Sequence, residues 1–358
     1  VVGYAAVGIT MAFTGFGVWS LVAAALSQAA IAAAVYNALA RPHIRPVFKR
    51  RPYTELLGFG SRVSVITFLE FVNANLDTMV VGRVRGATPL GYYSRALSLT
   101  GMPMYYMSTS LTRVLYPSMS RVQDDRARLG RAYLSIIAVL AGVGLPVALG
   151  MSGASREIIL VLYGAKWAAA IPVMRVVAIA AGLAMLSHLG GVLLEAAAQL
   201  KDKLLMRAGQ LALFAAALFG LGRFGLVGYA FAFALSEAVL HGLMAWRVAL
   251  FADISAGDLA RAYWPGALGG LLLFGCLYGE SRLAVAWSAP APAILAIQVV
   301  TGVVILALVV LRFGHGRVFA VLDERIGPTI KRQGLRRAFD IARAISGTVG
   351  NEPREEGS

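Results

Sequence analysis

Long apolar runs separated by short polar segments fill most of the chain. Read with the Gly and Pro breakers between them, these runs predict ten helices, over residues 1–14, 18–40, 57–82, 97–118, 132–151, 168–198, 204–221, 225–250, 262–279 and 292–312. Apolar runs this continuous are typical of membrane-spanning helices, because the strands of a membrane barrel alternate apolar and polar positions. The pattern therefore predicts an all-α polytopic membrane protein with about ten transmembrane helices.

The predicted helix 57–82 differs from the others because it carries charges inside an apolar run. At 100° per residue, Arg62, Glu70, Asn73 and Asp77 fall within about 80° of one another around the helix axis. The remaining faces are apolar. Ionisable residues inside a membrane face the bundle interior or a water-filled cavity and usually serve a function. We therefore expect this face to line a cavity where the function lies.

Composition and charge narrow the class of protein. The 358 residues are 58% hydrophobic and 14% charged, with a mean hydropathy of +0.72, which excludes a single soluble domain. The net charge of +15 lies in segments beside apolar helices, so a membrane surface explains it better than nucleic acid. The single cysteine, Cys276, excludes an intrachain disulfide and has no metal-ligand cluster near it. No phosphate-binding loop or hydrolase motif occurs, so we expect a transporter without cofactor or metal rather than an enzyme.

The distribution of basic residues predicts an orientation in the membrane. If the basic segment 41–51 is cytoplasmic, alternation of the helices assigns 23 of the 33 Lys and Arg residues to cytoplasmic segments and 7 to outer ones. The cytoplasmic segments in this count include 201–207 and the C-terminal tail. On this prediction, residues 82–95 form an outer turn broken by Gly and Pro, with Tyr92 and Tyr93 at the membrane interface.

An internal repeat predicts how the helices are grouped. Residues 16–29, which begin Phe-Gly-Val-Trp-Ser-Leu, resemble residues 224–238, which begin Phe-Gly-Leu-Val-Gly-Tyr. Each helix of the first copy lies six helices before its counterpart in the second, so both copies run in the same direction through the membrane, as in a parallel transporter repeat. Residues 57–250 are then one six-helix lobe, and 1–40 are the last two helices of a lobe whose first four we expect before Val1. Chance similarity between apolar sequences is the alternative.

The remaining segments complete the predicted organisation. Residues 41–56 form a basic cytoplasmic linker, and 262–312 form two additional transmembrane helices. Residues 313–358 form a basic amphipathic tail suited to the anionic inner leaflet. A short amphipathic helix over 155–163 is expected to lie on the membrane surface.

Several short motifs occur in a fixed order: Gly15 to Trp19, Asn75-Leu76-Asp77 through Gly82-Arg83, Leu90-Gly91-Tyr92-Tyr93 with Ala96, Pro117 with Ser120-Arg121, and Tyr163-Gly164-Ala165-Lys166-Trp167 with Ala170, Pro172 and Arg175. Together they resemble the motifs of the Wzx-type oligosaccharide flippases, within the multidrug/oligosaccharidyl-lipid/polysaccharide exporter superfamily. The resemblance covers the first eight helices well and the remainder poorly. It implies two six-helix lobes around a central cavity, with two extra C-terminal helices in many polysaccharide members.

The same resemblance implies a function, a location and partners. The protein would flip undecaprenyl-pyrophosphate-linked oligosaccharide repeat units across the bacterial inner membrane, for lipopolysaccharide, capsule or exopolysaccharide assembly. Its partners would be the lipid-linked oligosaccharide, anionic membrane lipids, and polysaccharide polymerase and chain-length proteins. An ion-coupled exporter of drugs or other lipid-linked precursors is the alternative within the superfamily. A polytopic polysaccharide polymerase or ligase is the alternative from a different class.

Charged and polar residues inside the helices are the candidates for function. Arg62 and Arg113 are expected to bind the pyrophosphate, and Glu70 and Asp77 to bind the coupling ion. Three further residues are assigned to substrate binding: Asn73, Tyr106 and Arg175. The alternative for the arginines is attachment to lipid headgroups. The alternative for the carboxylates is a hydrogen bond or an ion pair across the bundle, for example with Arg113 or Arg175.

Two further pairs of polar residues share helix faces. Glu237 and His241 lie one turn apart, which predicts a local pair. His188 and Glu195 share a face of the helix 168–198, either as a titrating site or as a polar seam between helices.

Overall fold

A computed structural model of the chain describes residues 2–17, 19–40, 50–120, 125–287 and 289–313. Within these ranges, the side chains of residues 2, 40, 50–59, 62, 110–120 and 313 are outside the description. Most of the predicted linker, residues 41–49, and the predicted tail beyond residue 313 also lie outside it.

The described residues are almost entirely helical. They form α1 (Val2–Phe13), α2 (Trp19–Ala40), α3 (Arg50–Arg85), α4 (Ala87–Ser120), α5 (Arg126–Gly153), α6 (Ser155–Tyr163), α7 (Ile171–Ala196), α8 (Leu200–Leu221), α9 (Leu226–Phe251), α10 (Ala256–Ala286) and α11 (Ala291–Phe313). Two 3-10 segments, Ala165–Ala170 and Gly222–Phe224, lead into α7 and α9.

Eight of the helices in the described ranges are long and apolar enough to cross a membrane. Helix α1 is shorter, with an apolar stretch over Gly3–Phe13. Helix α4 has 34 residues, which is long enough to span a bilayer, but it is too polar to count among the eight. The prediction of an all-α polytopic membrane protein is confirmed.

The chain divides into two compact units. The first, Val1–Gly58, contains the α1–α2 hairpin. Gly8 allows the two helices to approach closely, since a Cβ atom there would lie 3.1 Å from the Cβ atom of Ala24. Gly17 in the connecting turn has φ of +52°, and its predicted counterpart in the repeat, Gly225, has φ of +79°. Both turns therefore use a backbone conformation that favours glycine.

The second unit, Phe59–Ser358, is built around α7, which packs against α4, α5 and α9. Its apolar core includes Leu140, Leu189 and Met244. Helix α10 packs along α5, and α11 packs against α10. The first of these contacts depends on Gly266, because a Cβ atom there would lie 2.1 Å from the carbonyl oxygen of Ala141. The two additional C-terminal helices are thus close-packed parts of this unit.

Side-chain contacts between helix ends show that the helices of the second unit alternate in direction. At one end, Arg85 donates to the carbonyl of Gly222 at 2.8 Å, and the ring of Tyr92 lies 5.5 Å from that of Trp167. At the other end, Arg247 pairs with Asp202. The connections between helices therefore lie at two opposite ends, as expected for helices that alternate in direction. Which end faces the cytoplasm stays a prediction.

Two local predictions are wrong. The segment 82–95 is not a broken turn, because α3 runs to Arg85, only Gly86 interrupts the helix, and α4 begins at Ala87. Gly86 has φ of +86°, which ends α3. Pro89 lies in the first turn of α4, where proline is tolerated. Tyr93 is fully buried rather than interfacial. The short helix predicted over 155–163, by contrast, is present with those bounds.

Candidate functional site

Four charged side chains from three helices meet near the turn between α7 and α8. The Nζ atom of Lys203 on α8 lies 3.1 Å from Oε1 of Glu70 on α3, and it also donates to Glu195 on α7. The Nε atom of Arg207, one turn along α8, lies 3.3 Å from the same oxygen of Glu70. We call these four residues the charged cluster. Within it, the carboxylates of Glu70 and Glu195 balance the positive charges of Lys203 and Arg207.

A chain of amides extends the charged cluster to a fourth helix. Arg207 donates to Oε1 of Gln210 at 3.1 Å, and the Nε2 amide of Gln210 donates to Glu237 on α9 at 2.7 Å. Asn73 of α3 also hydrogen-bonds to Glu237. The other amide atom of Asn73, Oδ1, is buried and has no hydrogen-bond partner among the described residues. The network thus joins α3, α7, α8 and α9. Within it, the Oδ1 atom of Asn73 can still accept a hydrogen bond.

Exposure is unequal within the charged cluster. The side chains of Lys203 and Arg207 are only 7% and 12% exposed, whereas those of Glu70 and Glu195 are 36% and 34% exposed. A charged carboxylate exposed to lipid would cost several kcal/mol, so the surface around these carboxylates must be turned away from lipid. The exposed ring of His188 lies within electrostatic reach of all four residues. The carboxylates are therefore the accessible side of the charged cluster, with the cations behind them.

Asp77 lies two turns along α3 from Glu70 in a separate buried site. Its two carboxylate oxygens accept from the hydroxyl of Tyr93 at 2.8 Å and from the backbone N–H of Thr78 at 2.7 Å. Asp77 is 2% exposed and Tyr93 is fully buried. This contact fastens the end of α3 to the start of α4.

The predicted site residues are only partly brought together. Glu70 and Asn73 belong to the same network, while Asp77 has its own partners. The guanidinium of Arg175 lies 4.9 Å over the ring of Tyr278 on α10, away from the charged cluster. Tyr106 is 65% exposed and contacts the neighbouring Tyr105 edge to face. The side chains of two more predicted residues lie outside the described set: Arg62 and Arg113.

The sequence interpretation missed the cationic half of the network. Lys203 and Arg207 were assigned to a cytoplasmic segment, but α8 begins at Leu200 and includes both. The available signal was the spacing of Lys203, Arg207 and Gln210 at i, i+4 and i+7, which places them on one helix face. The predicted local pair of Glu237 with His241 is wrong, because Glu237 bonds across the bundle. The ring of His241 instead packs against Tyr263, with centroids 5.4 Å apart.

A second buried carboxylate lies among α6, α10 and α11. Glu157 is completely buried and accepts from Arg156 at 3.1 Å and from the hydroxyl of Ser281 at 2.9 Å. The Nε2 amide of Gln298 donates to its other oxygen at 3.3 Å and to the carbonyl of Leu277 at 3.1 Å. This junction attaches the last two helices to the lobe.

Comparison with known proteins connects this architecture with polysaccharide biosynthesis. The chain is 29% identical over 143 residues to the Lipopolysaccharide biosynthesis protein WzxC of Escherichia coli (strain K12), covering 40% of this chain and 29% of that protein. It is 26% identical over 179 residues to the Succinoglycan biosynthesis transport protein ExoT of Rhizobium meliloti (strain 1021), covering 50% and 36%. The chain therefore spans about a third of the length of these two relatives.

A solved structure and a family model agree with these matches. The structure of the Lipid II flippase MurJ in an inward closed conformation superposes with a TM-score of 0.66 at 14% identity, over 87% of this chain and 66% of that one. At this identity the match shows a shared fold. The family model described as Polysaccharide biosynthesis protein matches residues 1–172. The resemblance to the polysaccharide flippases is thereby confirmed, and residues 1–172 of the chain are similar to the family described as Polysaccharide biosynthesis protein.

Proposed function

We propose that the protein flips oligosaccharide repeat units linked to undecaprenyl pyrophosphate across the bacterial inner membrane by alternating access. The products would serve lipopolysaccharide, capsule or exopolysaccharide assembly. The observation that carries the proposal is the charged cluster, which places two partly exposed carboxylates and two buried cations among helices apolar enough to cross a membrane. The similarity to WzxC and ExoT and the fold shared with MurJ support the choice of substrate class. No enzymatic step is required of the chain.

A lipid pyrophosphate needs cationic side chains and water on its path, because its charge is costly in hydrocarbon. In the proposal, Arg62 and Arg113 capture the pyrophosphate, each through a charge-assisted contact. Arg62 lies two turns before Glu70 on the same face of α3, so captured substrate would next meet the charged cluster. There Lys203 and Arg207 are already neutralised by carboxylates. This arrangement lets the anion pass without being held too tightly.

The partners of Glu70 favour a particular kind of coupling. An inorganic cation bound to Glu70 would lie beside the positive charges of Lys203 and Arg207, whereas a proton only neutralises the carboxylate. We therefore assign coupling to protonation of Glu70, which would release α3 from α8 while Lys203 keeps Glu195. Asp77 takes a positioning role in this scheme, since its bond to Tyr93 holds α3 on α4. In this proposal the linker 41–56 and the C-terminal tail are cytoplasmic.

Transport by purified protein in proteoliposomes tests the proposal. The substrate is a fluorescent oligosaccharide linked to undecaprenyl pyrophosphate, and flipping is read as the fraction that becomes accessible to a membrane-impermeant quencher. We expect flipping by the parent protein, faster with an imposed proton gradient. A parallel assay with a cationic dye tests the drug-exporter alternative. Dye transport without oligosaccharide flipping would contradict the proposal.

A further inference from the structure

A groove with a volume of about 630 Å³ lies at the end of the second unit where α5 begins and α9 ends. Arg126, Arg131 and Leu134 of α5 line one side, and Leu250 and Phe251 of α9 line the other. We call it the basic groove. The membrane-spanning parts of α5 and α9 meet their polar connections at this level, which is the depth of lipid headgroups.

Among the described residues, no carboxylate pairs with the arginines of the basic groove. The described residues place no carboxylate within 4.0 Å of Arg126 or Arg131, and Arg126 instead lies 5.1 Å over the ring of Phe251. Arg207 and Arg247 differ, because each pairs with a carboxylate of another helix. Two uncompensated guanidinium groups at headgroup depth constitute a site for a phosphate anion.

Two carboxylates in the groove limit the total charge of the ligand. Asp258 accepts from the hydroxyl of Ser255 and faces Arg261 at 3.8 Å, so it is already partnered. Asp253 is exposed and has no such partner within the described part of the chain. Arg126 and Arg131 carry two positive charges and Asp253 carries one negative charge, so the groove has one net positive charge. A ligand with one negative charge and headgroup hydroxyls, which Asp253 can accept from, complements this balance.

The shape of the groove favours a lipid over a free phosphate. Gly130 forms its floor, since a Cβ atom there would lie 2.9 Å from the carbonyl oxygen of Ala252. Leu134 and Leu250 extend the wall from the arginines toward the membrane interior. A soluble anion would leave this apolar wall uncovered, whereas acyl chains would cover it.

We propose that the basic groove binds an anionic glycerophospholipid, with its phosphate on Arg126 and Arg131 and its acyl chains along Leu134 and Leu250. Because the groove is separate from the charged cluster, this proposal stands independently of flipping. Phosphatidylglycerol is the probe, since it carries one negative charge and two headgroup hydroxyls. Phosphatidylethanolamine carries no net charge and should be retained less.

Native mass spectrometry of the purified full chain with each lipid tests the site. We expect the parent to retain phosphatidylglycerol over phosphatidylethanolamine, and Arg126→Gln with Arg131→Gln to lower retention about tenfold. Arg128→Gln is the matched control, because Arg128 is an exposed arginine on the same helical turn but does not line the groove. If the double variant fails to fold, Arg131→Gln alone replaces it, because Arg131 is exposed. This single variant should lose less phosphatidylglycerol retention than the double variant.

Three results would overturn the proposal. The first is equal retention of both lipids by the parent. The second is a loss in Arg128→Gln as large as in the groove variants, which would indicate a general effect of surface charge. The third is displacement of the bound lipid by an equal concentration of glycerol 3-phosphate, which would show that a phosphate group alone fills the site.

Discussion

The ammonium of Lys203 lies 3.1 Å from the carboxylate of Glu70, on a helix 133 positions earlier in the chain. Its other carboxylate partner, Glu195, belongs to the preceding helix of its own hairpin. Glu70 can therefore leave while Lys203 remains neutralised, whereas loss of Lys203 leaves Glu195 without its cation. This asymmetry makes the ion pair suited to opening and closing.

The first prediction compares the two ends of this pair. Glu70→Gln should lower the free energy of unfolding by about 2 kcal/mol, because Arg207 is only 12% exposed and loses its carboxylate partner. Lys203→Met should cost less, about 1 kcal/mol, since Glu70 keeps Arg207 and the carboxylate of Glu195 is 34% exposed. Unfolding of the purified variants in detergent provides the measurement. A larger loss for Lys203→Met than for Glu70→Gln would show that Arg207 does not depend on Glu70.

Tyr93→Phe tests the attachment of α3 to α4. It removes the hydroxyl that donates to Asp77 at 2.8 Å and leaves that buried carboxylate short of a donor, at a cost of about 1–3 kcal/mol. Tyr92→Phe is the control, because Tyr92 contacts Trp167 through its ring and its hydroxyl has no partner in the described ranges. The control should change stability by about 0.5 kcal/mol or less. Similar losses in both variants would mean that ring packing, and not the hydrogen bond, holds the helices together.

Much of the fold follows from the hydrophobic pattern, while the pairing of charges does not. The apolar runs predicted helices such as 225–250, observed as Leu226–Phe251, because lipid imposes long apolar helices on the sequence. The polar face of α3 identified Glu70 and Asn73 because helical periodicity is local. The sequence did not identify Lys203 as part of the site, because positively charged residues near the start of a helix are typical of a cytoplasmic loop. Its burial arises only when α3, α7 and α8 pack together.

A third prediction concerns the junction of the last two helices. Glu157→Ala should destabilise the protein by about 3 kcal/mol or more, because Ser281, Gln298 and Arg156 all lose their common acceptor. Glu157→Gln keeps one acceptor oxygen and the side-chain shape, so it should lose less. Thermal unfolding of both variants in detergent compares them. A junction held mainly by apolar packing would instead tolerate the alanine variant as well as the glutamine one.

The orientation in the membrane is a fourth prediction. The contact of Tyr92 with Trp167 places the start of α4 at the same end as the entry to α7. By the positive-inside rule this end faces outward. Reporter fusions should therefore lie outside at Thr88, Lys166 and Arg282, and inside at Arg50, Asp124 and Asp202. A reversal at any one position would break the alternation of the helices.

The most direct test of the account is the flipping rate of the Glu70→Gln variant in proteoliposomes, with and without a proton gradient. We expect this variant to bind the lipid-linked oligosaccharide like the parent but to gain no acceleration from the gradient, because the group that takes up the proton is absent. Glu195→Gln is the matched control and should keep the acceleration, since Glu195 belongs to the same cluster without joining α3 to α8. Flipping by Glu70→Gln that still accelerates with the gradient as in the parent would contradict the account.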